Sequence, residues 1–321
     1  MDVPTSGSDV STEAVSTAGL VSLDETVWRQ RAQDHRERVA AWVGDRRERR
    51  STRRTHPVDD FLFDYYPYSV GRLEAWHPGH GVELLGDVRQ YTDHPDYTRT
   101  ERGATTDAAR LTRHRQRLDL VIRLLSATAD REPQLGCFGM HEWAMVYGQA
   151  QDEVRHASSP LRLRPEQIAE AVDAIGLRCT HIDAYRFFTP AATPLNAHEP
   201  TRATQHEWEQ PGCLHANMDL YKYAMWFQPF VGSALVADCF ALARQARELD
   251  MRAAPYDLVG LGYEPIRVET AEGRRDYAAR QRHISYLSAG VRTRLLESLL
   301  ALRGAHVEST ISPPLTVAGT E

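Results

Sequence analysis

Apolar residues recur at helical spacing along much of the chain, and the clearest example lies between residues 105 and 133. Its apolar positions are three, four or seven residues apart, at Leu111, Leu118, Val121, Ile122 and Leu125. This spacing places them on one face of a helix, which the run from Asp130 to Pro133 would end. The segment therefore predicts a long amphipathic helix.

Weaker helical patterns occur on both sides of this segment. We predict further helices over residues 23–50, 164–176, 214–228 and 232–254. The first has a sparse apolar stripe formed by Val27, Ala32, Val39 and Trp42. In the second, Pro165 suits the first turn of a helix and Gly176 suits its C-terminus. Helices therefore account for most of the predicted regular structure.

Strand patterns are fewer and shorter. In residues 177–188, alternate positions place Cys179, His181, Asp183 and Tyr185 on one face of a predicted strand. The aromatic stretch 55–86 is interrupted by proline and glycine, so we expect short elements there, with a strand or a turn over residues 81–86. Residues 263–304 predict a short strand, a turn at Gly273 and one or two closing helices.

These elements indicate an α+β protein that is mainly helical, with a small sheet, in a single globular domain over residues 23–305. Residues 1–22 have little to bury, so we expect a disordered tail there, and residues 306–321 are expected to be a flexible C-terminal tail. Residues 189–212 contain too much proline and asparagine for regular structure. Ordered loops of this length are usually functional.

Charge is distributed unevenly along the chain. The net charge is -6, but residues 1–25 and 306–321 carry seven acids and no base, which leaves the remaining residues at +1. Residues 29–54 hold ten arginines against four acids, and a second arginine-rich stretch covers residues 110–117. Such segments suit contact with DNA phosphates, or alternatively a solvated helix face held by salt bridges.

Sequence features of export or membrane insertion are lacking. The sequence contains no run of about eighteen apolar residues, and its first residues lack the basic and apolar regions of a secretory signal. We therefore expect a cytoplasmic protein without a membrane partner. The four cysteines, Cys137, Cys179, Cys213 and Cys239, show no paired spacing and are interpreted as small buried residues.

Ionisable residues concentrate in three short segments with aromatic neighbours. These segments contain His141 and Glu142, then His181 and Asp183, then His215, Asn217, Asp219 and Lys222. In a helix, His215, Asp219 and Lys222 share one face. Lys222 is also the only lysine in a chain that has 37 arginines, which suggests a specific role for its ammonium group.

Two chemistries are consistent with these residues. In one, His141, His181 and His215 bind Zn²⁺ or Fe²⁺ together with a carboxylate, for hydrolysis or oxygen chemistry. In the other no metal is required, because a carboxylate activates water or Lys222 acts as a nucleophile or electrostatic clamp. A structural alternative is a salt bridge between Lys222 and Asp219 or another carboxylate.

Five longer motifs follow one another along the chain. They are HPVDDFLFDYYPYSVGRLEAWHPG, GCFGMHEWAMVY, THIDAYRFFTP, PTRATQHEWEQPGCLHANMDLYKYA and ELDMRAAPYDL. With these motifs the chain resembles an actinobacterial family labelled 3-methyladenine DNA glycosylase, over about residues 56–283. The resemblance implies a cofactor-free hydrolase that cleaves the N-glycosidic bond of an alkylated purine flipped out of the duplex.

The chain lacks the helix-hairpin-helix signature and the helical repeats of characterised glycosylases, so we assign its catalytic residues from their chemistry. Asp183, Asp219 and Glu142 are the candidates to activate water, and Lys222 is the candidate amine. The candidates to contact the substrate are Trp143, Tyr147, Tyr185, Phe187, Asn217 and Tyr221.

DNA repair by base excision is the function that this assignment predicts, with DNA held through residues 29–54 and 110–117. The first alternative is a metal-dependent enzyme that uses His141, His181 and His215 to act on a small molecule. The second is a nucleic-acid-binding protein without catalysis.

Overall fold

A computed structural model describes residues 19–154 and 159–311 of the 321-residue chain, with side chains described as far as His306. A four-stranded sheet lies beside a larger body of helices. The mainly helical α+β class with a small sheet is therefore confirmed. Residues 1–18 and 312–321, which belong to the two predicted tails, lie outside the described residues.

The long elements are all helical. Helices α1 to α12 are Glu25–Ser51, Phe61–Tyr65, Val70–Glu74, Arg89–Thr92, Arg115–Ala129, Met140–Ala144, Pro165–Ile175, Ile182–Tyr185, Gln205–Trp208, Leu214–Trp226, Ser233–Ala253 and Ala271–Ile311. Strands β1 to β4 are Val21–Leu23, Val82–Leu85, Tyr97–Arg99 and Gly103–Thr106. Short 3₁₀ helices cover Ala108–His114, Thr193–Leu195 and Val259–Leu261. None of the described helices combines the length and hydropathy needed to span a bilayer.

The small sheet anchors the start of α1. Its strand order is β1-β2-β4-β3, with β1 parallel to β2 and β4 antiparallel to both β2 and β3. Trp28 of α1 packs with Leu84 and Tyr91 in an apolar cluster at the sheet. The indole Nε1 of Trp28 also donates a 2.9 Å hydrogen bond to the carbonyl oxygen of Leu85. One aromatic side chain thus joins the sheet to the helical body.

Helix α10 lies at the centre of the helical body, where it packs against α11 and α12. Every residue of α10 is buried except Lys222 and Trp226, which are partly exposed. Water is excluded on nearly all sides, so the polar residues His215, Asn217 and Asp219 need partners inside the protein. This constraint determines where the candidate site forms.

The helices predicted from apolar spacing are confirmed in part. The helix predicted over residues 105–133 is shorter than expected, because β4 ends at Thr106, a 3₁₀ helix covers Ala108–His114 and α5 begins at Arg115. Helix α5 buries Leu118, Val121, Ile122 and Leu125, and Leu111 is buried in the 3₁₀ helix before it. Helix α7 begins at Pro165 and ends before Gly176, and α11 ends two residues before Pro255. The expected short elements between residues 55 and 86 are α2, α3 and β2.

The buried face of α1 is rotated from the predicted one. Its buried residues are Trp28, Ala32, His35, Val39 and Val43. Val27 is exposed and Trp42 is only partly buried. The reason is that Trp28 contacts the sheet and His35 Nε2 is hydrogen-bonded to the carbonyl oxygen of Leu73 at 2.9 Å.

The strand predicted over residues 177–188 is wrong. Leu177 forms only an isolated bridge with Asn196, and Ile182–Tyr185 is the helix α8. The Asn196 side chain accepts a hydrogen bond from the backbone N–H of Cys179 and donates one to its carbonyl oxygen. A side chain therefore satisfies the backbone groups that a neighbouring strand would have bonded.

The predicted strand and turn before the C-terminal helix are also wrong. Residues 263–270 contain no strand, and Gly273 lies in the first turn of α12. A β-carbon on Gly273 would lie 2.0 Å from the carbonyl oxygen of Arg267, so close backbone packing accounts for the glycine. The predicted limits of both tails are also wrong. Strand β1 begins at Val21, inside the predicted N-terminal tail, and α12 continues to Ile311, inside the predicted C-terminal tail.

We predict that Leu118→Ala lowers the free energy of unfolding by about 2–5 kcal/mol, because it opens a cavity at a fully buried position of α5. Leu120→Ala is the matched control, since Leu120 lies on the same helix with 47% of its surface exposed. We expect Leu120→Ala to change stability by about 0.5 kcal/mol or less. Urea denaturation followed by circular dichroism measures both, and equal losses would contradict the described orientation of α5.

Candidate functional site

Four helices bring the ionisable residues of the sequence to one buried region. Helix α10 supplies His215 and Asp219, and the neighbouring α11 supplies Asp250. The short helix α6 contributes His141, and His181 immediately precedes α8. Helices α6 and α8 are only five and four residues long, so the chain turns immediately before and after them. This places the side chains of His141 and His181 beside α10.

Two groups of three ligand-type residues lie side by side in this region. The first, the His141 triad, consists of His141, His215 and Asp250. The second, the His181 triad, consists of His181, Glu209 and Asp219. In each triad the three donor atoms lie within 4.8 Å of one another and all three residues are buried. The rings of His181 and His215 are 5.4 Å apart, so the triads are neighbours.

The donor atoms of the His141 triad converge within the core. His141 Nε2 and Asp250 Oδ1 are both buried and form a 2.8 Å ion pair. Two ligands that share one ion, each about 2.1 Å from it, lie about 3.0–3.4 Å apart at angles of 90–110°, so this pair would have to open slightly around an ion. The ring of His215 completes the group, 4.5 Å from that of His141.

Arg247 balances the negative charge around this triad. Its Nη1 lies 2.8 Å from Glu142 Oε1 and 3.2 Å from Asp250 Oδ2, and the side chain is almost fully buried. Arg247 thus bonds the second oxygen of Asp250 and leaves Oδ1 facing His141. Burial alone would raise the pKa of Asp250, but the facing His141, His215 and Arg247 outweigh burial and hold this pKa well below its usual range.

The two histidines of this triad differ in protonation. Burial lowers the pKa of His215 far below its usual value, and the neighbouring His141 lowers it further, so His215 is neutral. Burial also acts to lower the pKa of His141, but the Asp250 and Glu142 carboxylates outweigh it and raise that pKa. A neutral imidazole is the form that binds metals. One ligand is therefore ready for a cation, and the other holds a proton that a cation would replace.

The His181 triad has a similar arrangement. His181 Nε2 lies 3.3 Å from Glu209 Oε1 and 3.3 Å from Asp219 Oδ2. Neither ring nitrogen of His181 has a hydrogen-bond partner among the described residues, although the side chain is 1% exposed. Both carboxylate oxygens thus approach the imidazole at a distance that fits shared coordination of one ion.

Lys222 lies directly beside the His181 triad. Its Nζ donates to Asp219 Oδ2 and lies 3.6 Å from Asp183 Oδ2, which matches the structural alternative considered from the sequence. Tyr66 donates a 2.7 Å hydrogen bond to the other oxygen of Asp219. Burial would raise the pKa of Asp219, but Lys222 and His181 hold it far below the usual range. Asp219 is therefore ionised.

A pocket of about 180 Å³ opens next to the His141 triad and is lined by its His215. Its aromatic wall includes Phe61 and Tyr65, whose rings stack 5.1 Å apart and 11° from parallel. Its polar lining consists of Asp64, Glu142, Asp183, His215 and Arg247. The pocket therefore offers a flat apolar surface beside ionisable groups, as binding sites for small planar molecules do.

A second, smaller cavity of about 20 Å³ has room for about one water molecule. His141, His181 and His215 all line it. Three of the four cysteines, Cys137, Cys179 and Cys213, line it as well, and none of the four is in a disulfide. Burial raises the pKa of each of these three thiols, so they are protonated, apolar neighbours of the histidines.

The structure brings together most of the ionisable residues that the sequence singled out, but in a different grouping. His141, His181 and His215 do not form one set, because His181 belongs to the second triad. The catalytic candidates Asp183, Asp219, Lys222 and Glu142 all lie at or beside the triads.

Of the six predicted substrate-contacting residues, only Phe187 lines the pocket. Trp143, Asn217 and Tyr221 are fully buried, and the Trp143 indole donates to the carbonyl oxygen of Ala253. Tyr147 is hydrogen-bonded to Asp173 at 3.1 Å, and the ring of Tyr185 packs on Phe188. Helical and turn geometry directs these side chains into the core or along the surface, away from the pocket.

Three residues of the triads and their charge network were missed from the sequence, namely Glu209, Arg247 and Asp250, as were Phe61, Asp64, Tyr65 and Met145 of the pocket. A signal was available for two of them. Arg247 and Asp250 are three residues apart on an otherwise apolar face of α11, where charged residues are rarely buried unless they are paired. Glu209 gave no such signal, because it follows a short helix within the long irregular segment.

The arginine-rich segments are largely engaged with carboxylates. In residues 29–54, Arg46 and Arg49 pair with Asp60, Arg47 pairs with Glu74, and Arg38 pairs with Asp238. In residues 110–117, Arg110 pairs with Asp107 and Arg113 pairs with Asp96. These contacts agree with the alternative of a salt-bridged helix face, and they reduce the number of arginines free for phosphates.

Comparison of the chain with protein-family models, with curated proteins and with solved structures found no match.

We predict that Arg247→Met lowers the free energy of unfolding by about 3–5 kcal/mol, because it leaves Glu142 and Asp250 buried without their cation. Arg280→Met is the control, since Arg280 pairs with Asp276 at the surface. We expect it to cost about 1 kcal/mol or less. Denaturant titration of both variants measures the difference, and a neutral Arg247→Met would contradict the described charge network.

Proposed function

We propose that the protein is a metal-dependent enzyme whose essential ion is held by His141, His215 and Asp250. The observation that carries this proposal is the convergence of three buried donor atoms, two imidazole nitrogens and one carboxylate oxygen, within 4.8 Å of one another. His141 and Asp250 form an ion pair at 2.8 Å, and a metal ion would replace the proton that His141 holds. The neutral His215 would supply the third ligand.

The donor set restricts the metal. Two imidazoles and one carboxylate suit Zn²⁺ or Fe²⁺, and such triads leave coordination positions open for water or substrate. An ion held there would polarise a water molecule or a substrate oxygen. Glu142 lies next to His141 on α6 and lines the pocket, and its Oε2 has no hydrogen-bond partner in the described part of the chain. Glu142 is therefore placed to accept a proton.

The pocket beside the triad supports a small, planar substrate. Phe61 and Tyr65 present stacked rings, and the guanidinium carbon of Arg247 lies 3.7 Å from the centre of the Phe61 ring. His215 and Glu142 face the same pocket, so a ring bound against Phe61 would lie next to the metal ligands. The proposed class is metal-assisted hydrolysis or oxidation of a small aromatic or heterocyclic molecule.

The test uses full-length protein stripped with a chelator and reloaded with Co²⁺, whose absorption spectrum reports its ligands. We expect Asp250→Asn, which keeps the shape of the side chain, to lower the affinity of this site about 100-fold or more and to change the spectrum. Asp276→Asn is the control at an exposed carboxylate. Unchanged Co²⁺ binding in Asp250→Asn, with circular dichroism showing a folded protein, would rule out this metal site.

Base excision, the function that the family resemblance implies, is a second candidate supported by the character of the pocket. Asp64, Glu142 and Asp183 line it against the single cation Arg247, so its lining is acidic as well as aromatic. An alkylated purine is planar and positively charged, and both properties suit such a pocket. In this mechanism Asp183 would act on the attacking water and Lys222 would assist as a cation or an amine.

For this candidate we expect chelator-treated protein to release 3-methyladenine from methylated DNA, and Asp183→Asn to slow the release about 100-fold or more. Borohydride trapping tests the amine role, because an imine formed by Lys222 would give a covalent DNA adduct that Lys222→Arg abolishes. Full release by Asp183→Asn would contradict the assigned base. Retention of DNA at low salt without release of any base would instead favour a binding protein.

A further inference from the structure

The His181 triad has features that the proposed metal site does not use. We infer that His181, Glu209 and Asp219 bind a second divalent cation, which displaces the ammonium group of Lys222 from Asp219. Three observations carry this inference: the geometry of the three donor atoms, the charge on Glu209 and the position of Lys222.

The first observation is the geometry. His181 Nε2 is equidistant, at 3.3 Å, from Glu209 Oε1 and Asp219 Oδ2. It forms ion pairs with both oxygens and no single aligned hydrogen bond, and its Nδ1 has no hydrogen-bond partner among the described residues. Both distances lie within the about 3.0–3.4 Å that separates two ligands of one ion. The three donor atoms are therefore spaced as ligands of a divalent cation.

The second observation is the charge on Glu209. Its carboxylate is 2% exposed, and within the described residues its one ion pair is the contact with His181. Its other described side-chain contact is the neutral amide of Gln205. The other two carboxylates of this region are better balanced, because Lys222 contacts Asp219 and Asp183, and Arg202 contacts Asp183. Glu209 therefore has fewer direct ion-pair partners than these two carboxylates, and the charges of Lys222 and the buried Arg292 act on it only without direct contact.

The third observation is the position of Lys222. Its Nζ donates a hydrogen bond to Asp219 Oδ2, which is the same oxygen that faces His181. The ammonium group is thus a counter-ion at the edge of the triad, and it stabilises the carboxylates when no metal is bound. An ion coordinated by Oδ2 would repel Lys222, which can move toward Asp183, 3.6 Å away.

A second ion would lie next to the first, because the ring of His215 in the His141 triad is 5.4 Å from that of His181. Two neighbouring divalent ions can stabilise both the attacking and the leaving oxygen of a hydrolytic reaction. This catalytic role rests on the proposed function, whereas binding of the second ion does not depend on it. The two claims can therefore be tested separately.

The experiment loads chelator-stripped, full-length protein with Zn²⁺, removes free ions by desalting and measures bound zinc per chain by mass spectrometry of the metal. We expect two ions in the wild type, one in Glu209→Gln, one in Asp250→Asn and none in the double variant. Glu207→Gln is the matched control, because Glu207 lies two residues away with 60% of its side chain exposed, and it should retain both ions. Circular dichroism establishes that each variant is folded.

Each result separates the two sites. One ion in the wild type that is lost in Asp250→Asn and kept in Glu209→Gln overturns the second site and leaves the proposed function intact. One ion lost in Glu209→Gln and kept in Asp250→Asn supports the second site and overturns the first. Two ions in both the wild type and Glu209→Gln contradict the assignment of Glu209, and absence of bound zinc in the wild type overturns both sites.

Lys222→Met gives an independent measurement that does not remove a ligand. If the metal displaces Lys222, this variant should bind the second ion at least about tenfold more tightly, since a competing positive charge next to Asp219 is gone. Competition with a zinc-binding dye measures the affinity. Unchanged or weaker binding of the second ion in Lys222→Met contradicts displacement of the lysine.

Discussion

Two carboxylates buried on adjacent helices are the constraint on which the candidate site depends. Asp219 on α10 and Asp250 on α11 are 1% and 0% exposed, in the part of the structure where the helices pack most closely. A buried carboxylate without a partner would cost several kcal/mol, so each requires positive charge or hydrogen-bond donors nearby. Lys222, Arg247, His141 and the hydroxyl of Tyr66 meet that requirement. The candidate site therefore forms where these buried carboxylates meet the groups that balance their charge.

The two basic residues at these carboxylates meet different geometric requirements. Arg247 bridges Glu142 and Asp250 while its planar guanidinium lies over the Phe61 ring, which suits a flat group with several donors. Lys222 instead places a compact ammonium group close to Asp219, with the ring of Tyr223 only 4.8 Å away. A guanidinium is larger and must keep its plane, so it fits this position less well. A compact ammonium group in this position agrees with the presence of a lysine in a chain that otherwise uses arginine.

Sequence patterns predicted the helices well, because apolar residues on a buried helical face recur at helical spacing, as Leu118 and Val121 do in α5. The site was predicted in part, since His141, His181, His215, Asp219 and Lys222 lie in segments where ionisable and aromatic residues are mixed. Their grouping into two triads could not be predicted, because it depends on the packing of α10 against α11. The strand expected around His181 failed because Asn196, from a distant part of the loop, bonds the backbone of Cys179. Such contacts between distant residues leave no local pattern.

The state of the carboxylates bears on the choice between metal-dependent and metal-free chemistry. A general base must be able to accept a proton near neutral pH, yet Lys222 holds the pKa of Asp219 far below the usual range despite burial. The Arg202 side chain and Lys222 likewise outweigh burial and lower the pKa of Asp183. Both residues are therefore weak bases, whereas a metal ion generates a nucleophile by lowering the pKa of water. Carboxylates that stay ionised are available as metal ligands, although each neighbouring cation also competes with the metal for them. Their low basicity favours the proposed metal-dependent function over base excision by Asp183 or Asp219.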